Sequence, residues 1–147
     1  MKRILVMHGV NLNMFGKRDP KHYGTETLED INKKISMLAE TLGVEVTFFQ
    51  SNHEGDFVEK IQEVHGDGTD GIIINAGACT HNSYAIMDAL AILHIPAVEV
   101  HMSNVHAREP FRHFSVLSGV TRGSIAGFGA DSYLLGLRAV VDLLEGE

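Results

Sequence analysis

Apolar residues return along this chain in two rhythms that take turns. Arg3-Ile4-Leu5-Val6-Met7-His8 is a short apolar run of strand length, ended by Gly9. After Gly24 the spacing changes: Leu28, Ile31, Ile35, Leu38 and Leu42 step by three and four, as one apolar helix face requires. Thr25 or Thr27 is placed to cap that helix, with Glu26, Glu29 and Asp30 at its positive N-terminal end. Gly43 is placed to close it. Val44 to Phe49 then alternates, with Val44, Val46 and Phe48 on one side. After the polar turn Ser51-Asn52-His53-Glu54-Gly55, the spacing of Phe57, Ile61 and Val64 predicts a second helix. Gly66-Asp67-Gly68-Thr69 breaks the chain before Gly71-Ile72-Ile73-Ile74, and Ser83 to Leu93 reads as a third helix. Ala97-Val98-Glu99-Val100 is the next apolar run. Pro110 stands at a helix-start position before Phe111 to Phe114. Ser124 to Phe128 predicts a last strand, diluted by Gly127, and Asp131 or Ser132 opens a final helix through Leu144.

Five apolar runs alternating with amphipathic helical segments predict a parallel sheet covered by helices on both faces. At 147 residues, without repeats or linkers, the expected form is one α/β domain over residues 1–147. It is a three-layer α/β/α, flavodoxin-like sheet of five parallel strands in the order 2-1-3-4-5. Ligands in such sheets bind beyond the carboxyl ends of the strands, at the switch point between the first and third. That rule selects three loops: Gly9–Gly24, Asn75–Asn82 and His101–Arg112. The first is far longer than the roughly 2–6 residues usual between a strand and a helix, which makes it either a solvated surface loop or a lid. The three loops hold Asn11, Asn13, Arg18, Tyr23, Asn75, His81, His101, Ser103, Asn104, His106, Arg108 and Arg112.

Composition narrows the chemistry. A net charge of −7 argues against a nucleic-acid partner while leaving room for a local basic pocket. One cysteine, Cys79, excludes an intrachain disulfide and disfavours a cysteine-based zinc site. No apolar stretch is long enough to span a membrane and no signal-peptide core follows Met1-Lys2-Arg3, so a cytoplasmic protein without a membrane partner is expected. The first loop lacks a Gly-x-Gly turn, which disfavours flavin and nucleotide binding. The strand ends Met7-His8 and Ile74-Asn75 lack the acids of a phospho-receiver. His81, His101 and His106 show no familiar metal-ligand spacing. Cys79 reads as a small half-buried residue rather than a nucleophile, and His8, His53, His65 and His94 as structural or solvent-facing. What survives is a site free of metal and cofactor, suited to general acid–base work on a small anion. Tyr23 would serve as a base there only with its pKa lowered from about 10, and Arg18, five residues earlier, is the natural cation to lower it. The bland alternative has the Tyr23 ring packed under the loop and Arg18 in solvent.

Four segments in this order resemble the type II 3-dehydroquinate dehydratases. They are Gly9-Val10-Asn11-Leu12-Asn13-Met14-Phe15-Gly16-Lys17-Arg18-Asp19-Pro20 with Tyr23-Gly24, Gln50 to Gly55, Ile74 to Ala78 with Thr80-His81, and Glu99 to Asn104 with His106 to Glu109. Val10 and Ala76 stand where prolines are usual, and Cys79 where a larger side chain is common. The resemblance implies reversible anti elimination of water from 3-dehydroquinate to 3-dehydroshikimate through an enolate, in aromatic biosynthesis or quinate breakdown. It implies Tyr23 as the base at C2, favoured by Arg18, and His101 as the acid at the C1 hydroxyl, its state set by Glu99. Asn13 would hold a water or the enolate oxygen. Asn75, Met102 and Ser103 would bind the carboxylate, and His81 and Arg112 the ring hydroxyls. Asp88 would reach a neighbouring subunit's site in a homododecamer, a tetramer of trimers. The competing classes are a small hydrolase using Cys79 or a histidine, and a binding module that keeps the pocket without the chemistry.

Overall fold

The computed structural model describes residues 1–17 and 25–146. Its strands are β1 (Arg3–His8), β2 (Glu45–Gln50), β3 (Gly71–Asn75), β4 (Ala97–His101) and β5 (Gly123–Ala126). Four α-helices connect or follow them: α1 (Leu28–Leu42), α2 (Glu54–Val64), α3 (Tyr84–Ile92) and α4 (Asp131–Glu145). All strand pairs are parallel and the order is β2-β1-β3-β4-β5, as the alternation of the two rhythms predicts.

The pleat of the strands divides the core in two. Ile4 and Val6 of β1, Ile73 of β3 and Val98 and Val100 of β4 turn to α1 and α4, against Ile31, Ile35, Leu137 and Val141. Leu5, Met7, Ile72, Ile74 and Ala97 turn the other way, against Phe57 and Ile61 of α2 and Ile86 and Leu90 of α3. The central strands are buried on both faces, which is why they read as continuous apolar runs.

Helix ends follow local chemistry. Thr27 caps α1 in a reciprocal capping box with Asp30, each side chain accepting from the other's backbone N–H. Ser83 caps α3 by accepting from the Ile86 N–H, and its own hydroxyl donates to Glu54 at the start of α2.

Several boundaries differ from the sequence expectation. The second strand begins at Glu45 instead of Val44, because Gly43 at φ 72° completes the helix end and the Val44 N–H still bonds back to Ala39. The second helix starts earlier, at Glu54. The last strand stops at Ala126, because Gly127 at φ 100° turns the chain and leaves Phe128 exposed. Pro110 starts only one 3-10 turn, Pro110–Arg112.

Candidate active site

The carboxyl ends of β1, β3 and β4 open onto one cleft of about 130 Å³. The described half of the first loop is packed. Leu12 and Phe15 are buried in the α1/α4 core around a 3-10 turn (Leu12–Met14), which rules out a wholly solvated loop. Asn11 enters that turn at φ 68°, a left-handed conformation that asparagine tolerates better than most residues. Its loop passes very close to the loop after β3. A Cβ on Gly9 would stand 2.3 Å from the carbonyl carbon of Ala76, and one on Gly77 (φ +63°) 2.8 Å from the Val10 oxygen. Only glycine permits that approach. Tyr23 and Arg18 lie outside the described residues.

Eight of the proposed site residues lie beyond that loop. Asn75, His81, His101, Met102, Ser103 and Arg112 all line the cleft, although they come from three separate segments. Glu99 stands behind it, nearly fully buried. The pleat puts Glu99 and His101 on the same face of β4, and one Glu99 oxygen accepts from His101 Nε2 at 2.5 Å. The other oxygen accepts from the Ser118 hydroxyl at 2.8 Å. Burial alone would raise the Glu99 carboxyl. Hydrogen bonds from His101, Ser115 and Ser118, with the charge on His101, outweigh it and hold the group below its usual range. The ionised carboxylate therefore fixes the His101 ring with Nε2–H inward, which leaves Nδ1 for the cleft.

Asn13 and Asp88 stand apart. Asn13 is exposed and outside the cleft lining, its Oδ1 accepting from the Gln50 amide at 3.5 Å. Asp88 is exposed on α3, away from this cleft. Asn11 and Arg108 belong to the lining instead. Both were visible as polar loop residues, but nothing in the spacing distinguished them. Phe15 also lines the cleft and carried no polar signal at all.

The cleft is cationic in an acidic chain. Arg108 donates to the Ser103 hydroxyl at 3.3 Å, and Arg112 lies 3.4 Å from Glu109 and over the Phe111 ring. His81 Nδ1 meets the Phe114 carbonyl at 2.8 Å, a contact only an N–H can make, so Nε2 is the acceptor unless the ring is protonated. Cys79 is half-buried and outside the lining, and burial pushes its thiol up, with Glu54 adding to the effect. A thiol nucleophile does not fit here. Among the described residues, no three His, Cys, Asp or Glu side chains gather into a metal site. No helix among them is long and apolar enough to cross a membrane.

Fold and site together define an open α/β enzyme with a carboxylate-backed histidine in an anion-attracting cleft. The chain belongs to the class II dehydroquinases: the model of that family matches residues 2–141. A 3-dehydroquinate dehydratase of Leptothrix cholodnii is 62% identical over 96% of this chain and 95% of its own length. The crystal structure of the type II dehydroquinase of Butyrivibrio crossotus is 47% identical and superposes with a TM-score of 0.92, covering 95% of this chain and 97% of that one. That of Propionibacterium acnes is 39% identical, again with a TM-score of 0.92, over 97% of each chain.

Proposed function

We propose that this protein is a 3-dehydroquinate dehydratase, a hydro-lyase that removes water from 3-dehydroquinate to give 3-dehydroshikimate. The observation that carries the proposal is the buried Glu99–His101 pair opening into a cleft rimmed by Arg108, Arg112 and His81. The reaction breaks a C–H bond next to a ketone and a C–O bond beside it, so it needs a base, an acid and a donor for the enolate oxygen. His101 is the acid. When its ring carries a second proton, that proton sits on Nδ1 and passes to the departing C1 hydroxyl, which leaves as water. Tyr23 is the base at C2 and Arg18 the cation that favours its phenolate, an assignment that rests on the resemblance of the Gly9–Gly24 segment.

Asn11, which lines the cleft, is assigned to the enolate oxygen or its water in place of Asn13. Asn75, with the N–H groups of Met102 and Ser103, receives the carboxylate. Neither of those N–H groups has a hydrogen-bond partner among the described residues. His81 and Arg112 receive the ring hydroxyls.

Asp88 serves a neighbouring copy's site within a homododecamer. Tyr84, Asp88 and Ile92 recur every four residues on the exposed face of α3, a stripe that suits a subunit contact. A cytoplasmic location goes with this reading, the lone cysteine being free.

The test is to mix the purified protein with 3-dehydroquinate and follow the ultraviolet absorbance of the conjugated enone, before and after borohydride with substrate. Turnover that survives borohydride is expected, since no lysine imine is used. A folded protein that produces no enone overturns the proposal. Sedimentation of the same sample reads the assembly, and a monomer at working concentration would overturn the role of Asp88.

A further inference from the structure

Strand register sets two polar side chains next to each other beneath the cleft. His8 and Asn75 end β1 and β3 as a paired position, both turned toward the α1/α4 side of the sheet. Tyr133, in the first turn of α4, is fully buried and meets both. Its hydroxyl lies 2.9 Å from His8 Nδ1 and 2.8 Å from Asn75 Nδ2. His8 Nε2 lies 2.8 Å from Asn32 Oδ1 on α1. Neither His8 nor Tyr133 lines the cleft, whereas Asn75 does.

Proton counting leaves one arrangement. Asn32 Oδ1 only accepts, so His8 carries its proton on Nε2 and its Nδ1 accepts. Burial keeps the ring neutral, its pKa lowered to about 4 against a smaller opposing effect of the Asn32 bond. Burial likewise pushes the Tyr133 phenol up, so it keeps its proton and donates it to His8. A lone pair of the Tyr133 oxygen is then left to accept from Asn75 Nδ2. On its other side, Asn75 Oδ1 accepts from the Gly77 N–H at 3.3 Å. Flipping the amide would set an N–H₂ group against that N–H and a carbonyl against the Tyr133 lone pair. The second hydrogen of Asn75 Nδ2 therefore stays available as a donor in the cleft.

We infer that Asn32, His8 and Tyr133 form a buried positioning relay that locks the Asn75 carboxamide with an N–H presented to substrate. None of the three touches substrate, and the relay acts through Asn75. The inference rests on the assignment of Asn75 to substrate binding, and selects a hydrogen-bond acceptor, a carboxylate or hydroxyl oxygen, at that point of the cleft.

Tyr133→Phe tests it, because it removes one oxygen and keeps the buried ring. In steady-state kinetics of the full-length protein with 3-dehydroquinate, KM should rise about three- to tenfold, the value of about one net hydrogen bond, with kcat nearly unchanged. Asn75→Ala should raise KM on its own, and combining it with Tyr133→Phe should add nothing. A merely structural hydroxyl would lower the melting temperature and leave KM alone. Wild-type KM in Tyr133→Phe, with Asn75→Ala impaired, overturns the relay while sparing the reading of Asn75. So do losses that multiply in the double variant. Wild-type KM in Asn75→Ala overturns that reading and the relay with it.

If Tyr133→Phe fails to fold, Asn32→Asp on the partly exposed face of α1 replaces it. A carboxylate there favours a doubly protonated His8, which would donate to Tyr133 and reverse the chain, so that Tyr133 opposes the Asn75 N–H₂. A raised KM is expected, and an unchanged one overturns the relay.

Discussion

Acid should weaken this protein well above the range where carboxylates titrate, and His8 is the reason. Burial lowers its folded-state pKa from 6.5 to about 4, so between those values the unfolded chain binds a proton that the folded one refuses. The sign follows. The contribution is fully present above pH 6.5 and is lost as pH falls toward 4, at about 1.4 kcal/mol per pH unit. Over the whole window the loss comes to roughly 3 kcal/mol, a large share of a stability of about 5–15 kcal/mol. Asp30, Asp67, Glu99 and Glu109 are all held below their ordinary values, so their own losses begin only below about pH 4.5. Urea unfolding at fixed protein concentration, at steps from pH 7.5 to 5, reads the slope. His8→Gln supplies the comparison: it lowers stability at pH 7.5 but should flatten the pH dependence between 6.5 and 5. Parallel slopes for the two proteins would refute the assignment of that loss to His8.

Glu99→Gln keeps the side chain's size while removing the charge that orients His101, so kcat should drop by about 10²-fold or more with KM little changed. Wild-type kcat would detach Glu99 from the acid. Tyr23→Phe should collapse turnover by a similar or larger factor with folding intact by circular dichroism, and near-normal turnover would exclude Tyr23 as the base. Arg18→Ala, acting through Tyr23, should add little to that loss, so fully additive effects would give the two residues separate roles. Thr27→Ala removes half of the α1 capping box and should cost about 1 kcal/mol in urea unfolding without altering turnover. A loss of activity at equal folded fraction would mean that the α1 end reaches the site.

Periodicity made the sheet legible because each strand and helix buries a face, and a buried face leaves a period in the sequence. The stripe Leu28, Ile31, Ile35 and the run Ile72 to Ile74 are such traces. Boundaries were less legible, since a single backbone angle at Gly43 or Gly127 moves them without changing any period. The same holds at the site. The loops were found by topology, but Asn11 precedes the 3-10 turn Leu12–Met14 and lines the cleft while Asn13 sits inside that turn and does not, a difference that two nearby asparagines do not encode. His8 reads from sequence as structural or solvent-facing. The structure keeps the first and overturns the second, because a strand of period two set His8 inward beside Ile4 and Val6, where Tyr133 and Asn32 meet it.

The pleat also separates two hydrogen-bonded sets at the cleft. On β4 the side that packs against α2 and α3 carries Glu99 and His101, the pair that holds a proton beside the cleft. On β1 and β3 the opposite side carries His8 and Asn75, which meet Tyr133 from α4, Asn75 being the residue proposed to bind substrate. Each set is hydrogen-bonded within its own layer, and the sheet stands between them. A slip of one residue in any of these strands would exchange the layers, burying His101 against α4 or turning Asn75 toward α3. The fully buried neighbours Val100 and Ile74 oppose that slip, because each would leave its own hydrophobic cluster. The register that builds the core is thus the register that keeps the proposed acid pair and the proposed substrate-binding amide on opposite faces of the sheet.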